Sequence, residues 1–209
     1  MKLLLIRHGA TPGNLEKRYV GRTDESLTQE SLETLGKEAK KIRELAGKPA
    51  AIITSPMKRC LETAETLFPE HDYPQVPRVQ VEDLSECDFG EFENKNYKEL
   101  SGNQDYQRWI DSNGTLPFPG GESREEFKRR SLTGFQKAVT QCIRNNTKTA
   151  ALVIHGGTIM NIMEEYADRH RPFYEWHVKN GGGYLAELEP ALWQKGRREL
   201  CVREAYMEG

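Results

Sequence analysis

Three short apolar runs in this chain stop abruptly at polar residues, and they constrain its fold more than any other feature. Leu3-Leu4-Leu5-Ile6 ends at Arg7-His8-Gly9, and Ala50-Ala51-Ile52-Ile53 ends at Thr54-Ser55-Pro56. Ala150-Ala151-Leu152-Val153-Ile154 ends at His155-Gly156-Gly157. An apolar run without alternation, bounded by Gly or Pro, is the pattern of a strand buried on both faces of a parallel sheet. Between the runs lie stretches of helical period. Residues 28–45 place Leu32, Leu35, Ala39, Ile42 and Leu45 three or four apart, and residues 57–68 place Leu61, Ala64 and Leu67 on one face. Residues 122–143 and 158–166 read as a long and a short helix. Strands alternating with helices predict an α/β fold with a mostly parallel central sheet flanked by helices. Residues 184–188 and 200–205 are two further strands, the last at an edge. Residues 86–121 break the rhythm, being polar, aromatic and rich in Asn and Gly. They read as a lid excursion from a single domain spanning 1–209, a length that suits one domain.

Charge narrows the partners. With 30 Lys and Arg against 32 Asp and Glu, the net charge is −2, so no basic excess marks the chain for nucleic acid or an anionic membrane. Cys60, Cys87, Cys142 and Cys201 are widely spaced and read as reduced thiols. The first apolar run is too short for a signal-peptide core or a membrane span, which predicts a soluble, cytoplasmic protein. No H-x-H, H-E-x-x-H or P-loop pattern appears, so the expectation is no metal and no cofactor.

Ligands of open α/β sheets bind beyond the carboxyl ends of the strands. Those ends here carry Arg7 and His8, then Ser55-Pro56 with Arg59 one helical turn on, then His155-Gly156-Gly157. Guanidinium forks match phosphate oxygens, and glycines let backbone N–H groups approach an anion. Each signal alone is weak. Three in one chain point to a phosphate site.

The same residues carry a family resemblance. Leu5-Ile6-Arg7-His8-Gly9-Ala10-Thr11 with Asn14 resembles the signature of the histidine phosphatase superfamily, which includes the cofactor-dependent phosphoglycerate mutases. Gly21-Arg22 through Leu27-Thr28, then Thr54-Ser55-Pro56 with Arg59 and Thr63-Ala64, are similar to its next blocks. Leu84-Ser85-Glu86 with Phe89-Gly90-Glu91-Phe92-Glu93 resembles its acid block, and His155-Gly156-Gly157 its second-histidine block. The resemblance implies a phosphoglycerate mutase-like fold and a metal-independent phosphomonoesterase that works through a phosphohistidine. It implies His8 as nucleophile, with Arg7, Arg59 and His155 around the phosphoryl oxygens and Asn14, Gly21 and Gly156 among the phosphate-binding positions. Glu86 would be the general acid and then the base, with Glu91 or Glu93 as fallbacks. That role needs a raised pKa, for which Glu82, Asp83 and burial are candidate causes. Ile154 departs from the small hydroxyl residue of many relatives, with an expected effect on packing beneath His155.

The mutases of this family carry a longer insertion with further basic residues after the acid. Here the run Glu93-Asn94-Lys95-Asn96-Tyr97-Lys98-Glu99-Leu100, the pair Tyr106 and Trp109, and the turn Pro119-Gly120-Gly121-Glu122-Ser123 look like alpha-ribazole phosphatases of cobalamin biosynthesis. Tyr97, Tyr106, Trp109 and Phe118 would offer flat surface to a benzimidazole-like base, or form the lid's own small core. The P-G-G-E-S turn also resembles broad-specificity phosphatases, so a small-molecule or sugar phosphatase is the alternative, ahead of a phosphoglycerate mutase. The expected partner is a small phosphomonoester. The oligomeric state, a dimer included, stays open, and His71, His170 and His177 are read as surface or structural.

Overall fold

The computed structural model describes residues 1–206. The elements run β1 (Lys2–Arg7), α1 (Pro12–Leu15), α2 (Gln29–Ala46), β2 (Ala51–Thr54), α3 (Lys58–Leu67), β3 (Arg78–Gln80) and α4 (Gln104–Asp111). They continue with α5 (Arg124–Arg144), β4 (Thr149–Ile154), α6 (Gly156–Tyr166), β5 (Gly183–Glu187), α7 (Pro190–Gln194) and β6 (Cys201–Tyr206). The sheet order is β3-β2-β4-β1-β5-β6.

The apolar runs become strands packed on both faces. Leu3, Leu5, Leu152 and Ile154 join Phe135, Val139 and Ile159 on the α5/α6 side. Leu4, Ile6, Ile52 and Val153 join Leu35, Ile42 and Leu67 on the α2/α3 side. Full burial of each such side chain contributes roughly 1.5–3 kcal/mol, so neither face of these strands tolerates a charge. Helix starts follow the capping residues. Thr28 accepts from the Ser31 N–H to open α2, and Ser123 forms a capping box with Glu126 to open α5.

The sheet is mixed, because β5 runs antiparallel to β1 and to β6 while β1, β2, β3 and β4 are mutually parallel. The reason lies in the turn before β5. The Gly181 N–H donates to the carbonyls of Arg7 and His8, so the chain re-enters the sheet where β1 ends and must run back along it. Strand β3 escaped the sequence reading because it is three exposed residues at an edge. No helix among the described residues is long and apolar enough to cross a membrane.

Parallel register sets the site. The ladder continues one residue past each strand, with His8 N–H donating to Ile154 O at 3.0 Å and Ser55 N–H to Val153 O at 3.1 Å. Residues 8 and 155 therefore come level at the carboxyl edge of the sheet, with Ser55 one residue short of them. The 86–121 segment carries little regular structure beyond α4, and supplies one wall of a cavity at that edge.

Candidate active site

His8 is 3% exposed, and its Nδ1 lies 2.6 Å from the Gly9 carbonyl oxygen. A carbonyl only accepts, so Nδ1 carries the hydrogen and a neutral ring keeps its lone pair on Nε2. Burial first, then the Arg59 and Arg7 charges, push this imidazole well below its ordinary pKa, which keeps it neutral near pH 7. The backbone here is braced by Asn180, whose Nδ2 donates to the carbonyls of His8 and Gly9 at 3.2 and 3.3 Å. Asn180 also donates to Asn14 Oδ1, which accepts in addition from the Thr11 N–H. With its oxygen engaged twice, Asn14 keeps its amide NH2 for another acceptor.

Both arginines are held with guanidinium capacity to spare. Arg7 donates through one terminal nitrogen to Val178 O at 2.7 Å, and that nitrogen lies 3.3 Å from His177 Nε2. Arg59 is fully buried and donates to the carbonyls of Thr23 and Gly21 at 2.8 and 2.7 Å. The Nε atoms of both are buried without a protein partner. Two such donors beside one neutral imidazole match an anion, since buried polar groups are otherwise paired.

His155 is fully buried, with its ring centroid 5.2 Å from that of His8. Its Nε2 lies 2.7 Å from Ser55 Oγ, while its Nδ1 has a sulfur contact with Cys60 at 3.9 Å. Burial, then the Arg59 charge, holds this ring well below its ordinary pKa, and burial pushes the Cys60 thiol up to about 12. Glu86 accepts from the N–H groups of Cys87 and Gly157, each at 3.0 Å. A Cβ at Gly157 would collide with the Glu86 carboxyl, so glycine is what lets the start of α6 approach the acid. Burial raises the Glu86 pKa against the pull of those two hydrogen bonds and of Arg59 and Arg7. Carboxylate crowding is not the cause: Asp83 pairs with Lys137 at 2.7 Å and Glu82 is exposed.

The two fallback acids lie elsewhere. Glu93 accepts from the backbone N–H groups of Gly21, Arg22, Thr23 and Phe89 and from the Thr23 hydroxyl, and Glu91 is exposed. Gly21, expected among the phosphate-binding positions, is engaged by protein groups here. Its N–H is donated to Glu93 and its carbonyl receives Arg59, so it holds Arg59 from behind. A side chain there would strike the Cys87 carbonyl, which is why the loop closes on glycine.

A cavity of about 400 Å³ opens over Arg7, Glu86, Gly156 and Gly157. Its lining includes Tyr19, Phe89, Trp109 and Phe118, and also Phe173, Tyr174 and His177. Tyr106, Trp109 and Phe118 stack on one another and meet Tyr19 and Phe92, so they form the excursion's own core. Tyr97 is 55% exposed and lies off the cavity. The sequence reading missed His177, Asn180 and Arg130. A lone His or Asn in a polar loop carries no periodic signal, and the only hint was the Asn180-Gly181-Gly182-Gly183 turn. Among the described residues no group of three His, Cys, Asp or Glu side chains is placed to hold a metal ion.

A model of the histidine phosphatase superfamily (branch 1) matches residues 3–198. The chain belongs to the histidine phosphatase superfamily. It is 32% identical over 209 residues to the 2,3-bisphosphoglycerate-dependent phosphoglycerate mutase 2 of Gloeobacter violaceus, covering 98% of this chain and 84% of that one. It is 28% identical to the metal-independent phosphoserine phosphatase of Arabidopsis thaliana, covering 77% of this chain and 66% of that one. The fold matches the crystal structure of the alpha-ribazole phosphatase from Shigella flexneri with a TM-score of 0.81 at 19% identity, covering 98% and 96% of the two chains. Membership and the phosphatase names among these relatives support a phosphoric monoester hydrolase.

Proposed function

We propose that this chain hydrolyses phosphomonoesters through a phosphohistidine on His8, with alpha-ribazole 5′-phosphate as the leading substrate. The observation that carries the chemistry is the Nδ1 bond to the Gly9 carbonyl, which leaves Nε2 as a neutral nucleophile beside two arginines. Nε2 attacks phosphorus, the bond from phosphorus to the leaving oxygen breaks, and the Glu86 carboxyl passes its proton to that oxygen. The Glu86 carboxylate then takes a proton from water, whose oxygen attacks phosphorus. The N–P bond breaks, inorganic phosphate departs and His8 is regenerated. Arg7, Arg59 and the Asn14 amide surround the phosphoryl oxygens, where transition-state charge is spread. His155 stands beside them, its ring 5.2 Å from that of His8 and its Nε2 2.7 Å from the Ser55 hydroxyl.

The aromatic wall supports the substrate. Trp109 and Phe118 face the cavity as well as each other, giving a base-bearing leaving alcohol a flat surface. A second reading, a broad-specificity phosphatase of small monoesters such as sugar phosphates, draws on the phosphatases among the sequence relatives. The test is phosphate release in EDTA from alpha-ribazole 5′-phosphate, 3-phosphoglycerate, fructose bisphosphates and p-nitrophenyl phosphate. Strong preference for the first is expected. Even activity across the panel overturns the substrate but keeps the chemistry, and 2,3-bisphosphoglycerate-dependent isomerisation of 3-phosphoglycerate would make the chain a mutase.

A further inference from the structure

Arg130 lies on α5 outside the cavity, behind the backbone that carries Glu86. Every one of its five N–H bonds has an acceptor. Nε and one terminal nitrogen fork onto the two oxygens of Glu122, each at 2.7 Å. The remaining donors reach the carbonyls of Asp83 at 3.2 Å, Ser85 at 3.0 Å and Glu86 at 3.0 Å. Glu122 in turn accepts from the Asp88 N–H at 2.9 Å, while the Glu122 N–H donates back to Asp88 O. The pair thus grips the chain on both sides of Glu86, from Asp83 to Asp88, and fastens it to a long helix. The guanidinium also lies over the Phe127 ring, 5.4 Å from its centroid, and that ring faces the cavity.

The segment needs such a tie. Residues 85–89 have no helix or strand to hold them, yet an acid that protonates a leaving oxygen must sit within hydrogen-bond reach of it. We propose that Arg130, anchored by Glu122, is the positioning residue that sets the Glu86 carboxyl against the leaving-group oxygen. The proposal rests on the reading of Glu86 as the acid. Lysine cannot replace it, because an ammonium has three donors and no fork.

The consequence is a dependence on the leaving group. Departing p-nitrophenolate is stable as an anion near neutral pH and needs little help from an acid, whereas an alkoxide needs its proton. The ratio kcat/KM ends at the first irreversible step, release of the alcohol with the phosphoryl group on His8, so the later role of Glu86 as base does not enter it. The experiment measures kcat/KM on glycerol phosphate and on p-nitrophenyl phosphate for the parent, Glu86→Gln, Arg130→Lys and Glu122→Gln. Arg130→Lys is expected to lose about 10–100-fold on glycerol phosphate and less than about threefold on p-nitrophenyl phosphate, the same sign of selectivity as Glu86→Gln. Glu122→Gln, which keeps the guanidinium and weakens its anchor, shows the same selectivity with smaller losses, and carries the test if Arg130→Lys fails to fold by circular dichroism. Equal losses on both substrates in folded clamp variants, with Glu86→Gln still selective, overturn the positioning role alone. Equal losses in Glu86→Gln overturn the acid reading and the proposal with it.

Discussion

The strand-end site and the 86–121 excursion face the same cavity but are built by different forces. His8, Ser55 and His155 hang on adjacent parallel strands, and their positions follow from the sheet register. Their neighbours Arg7 and Arg59 are gripped by backbone carbonyls, so cations and neutral imidazoles are packed together where water is scarce. The excursion has one short helix and holds its shape by ring packing of Tyr19, Phe92, Trp109 and Phe118, with turns between. Displacing a sheet-anchored residue requires breaking the ladder, whereas an excursion residue shifts against ring contacts and scattered hydrogen bonds such as those of Glu93 and Arg130. On the proposed reading the phosphate contacts fall on the strand-end side and the leaving-group wall on the excursion side, with Glu86 at the junction of the two.

Substitutions break or sharpen that contrast in a graded series. His8→Ala should abolish turnover, by roughly 10⁴-fold or more, with thermal unfolding little changed. Phosphate-release kinetics and calorimetry check both, and turnover at the parent rate would end the covalent mechanism. Glu86→Gln should cost about 10²–10⁴-fold in kcat/KM on alkyl phosphates and delete the alkaline limb of the pH profile. The sign follows from the two shifts. A raised Glu86 pKa keeps the acid protonated above the ordinary carboxylate range, and its loss on raising pH gives the alkaline limb. A lowered His8 pKa keeps the nucleophile neutral, so the acid limb lies below the ordinary imidazole range. An alkaline limb that survives in Glu86→Gln assigns it to another group.

Trp109→Ala belongs to the other side of the cavity. It should raise KM for a base-bearing substrate by about 5–100-fold, the worth of one stacked base, with kcat on p-nitrophenyl phosphate nearly unchanged. Loss of kcat on both substrates would show that the excursion shapes the chemistry and not only the choice of substrate. Tyr97→Ala, at an exposed position off the cavity, should change stability by less than about 0.5 kcal/mol and leave KM where it was. A KM effect there would extend the binding wall beyond the rings that line the cavity.

The sheet-anchored half was legible in the sequence because local patterns specify it. Unbroken apolar runs mark β1, β2 and β4, and the residues that end them are those that meet at the carboxyl edge. What was missed depends on approach across space. His177 beside Arg7, Asn180 under His8 and the Arg130–Glu122 grip on Glu86 join residues 44–172 positions apart or carry no period. Glu93 illustrates the limit: the sequence offered it as a fallback acid, and only the packed loop shows its oxygens committed to the backbone of residues 21–23. Sequence alone determined the alternation of strands and helices and the identity of the strand-end residues, since hydrophobic period and abrupt polar stops are local signals. Tertiary structure alone decided the direction of β5, the neutrality of His8 and the burial that raises Glu86, because each depends on which distant groups share a low-dielectric space.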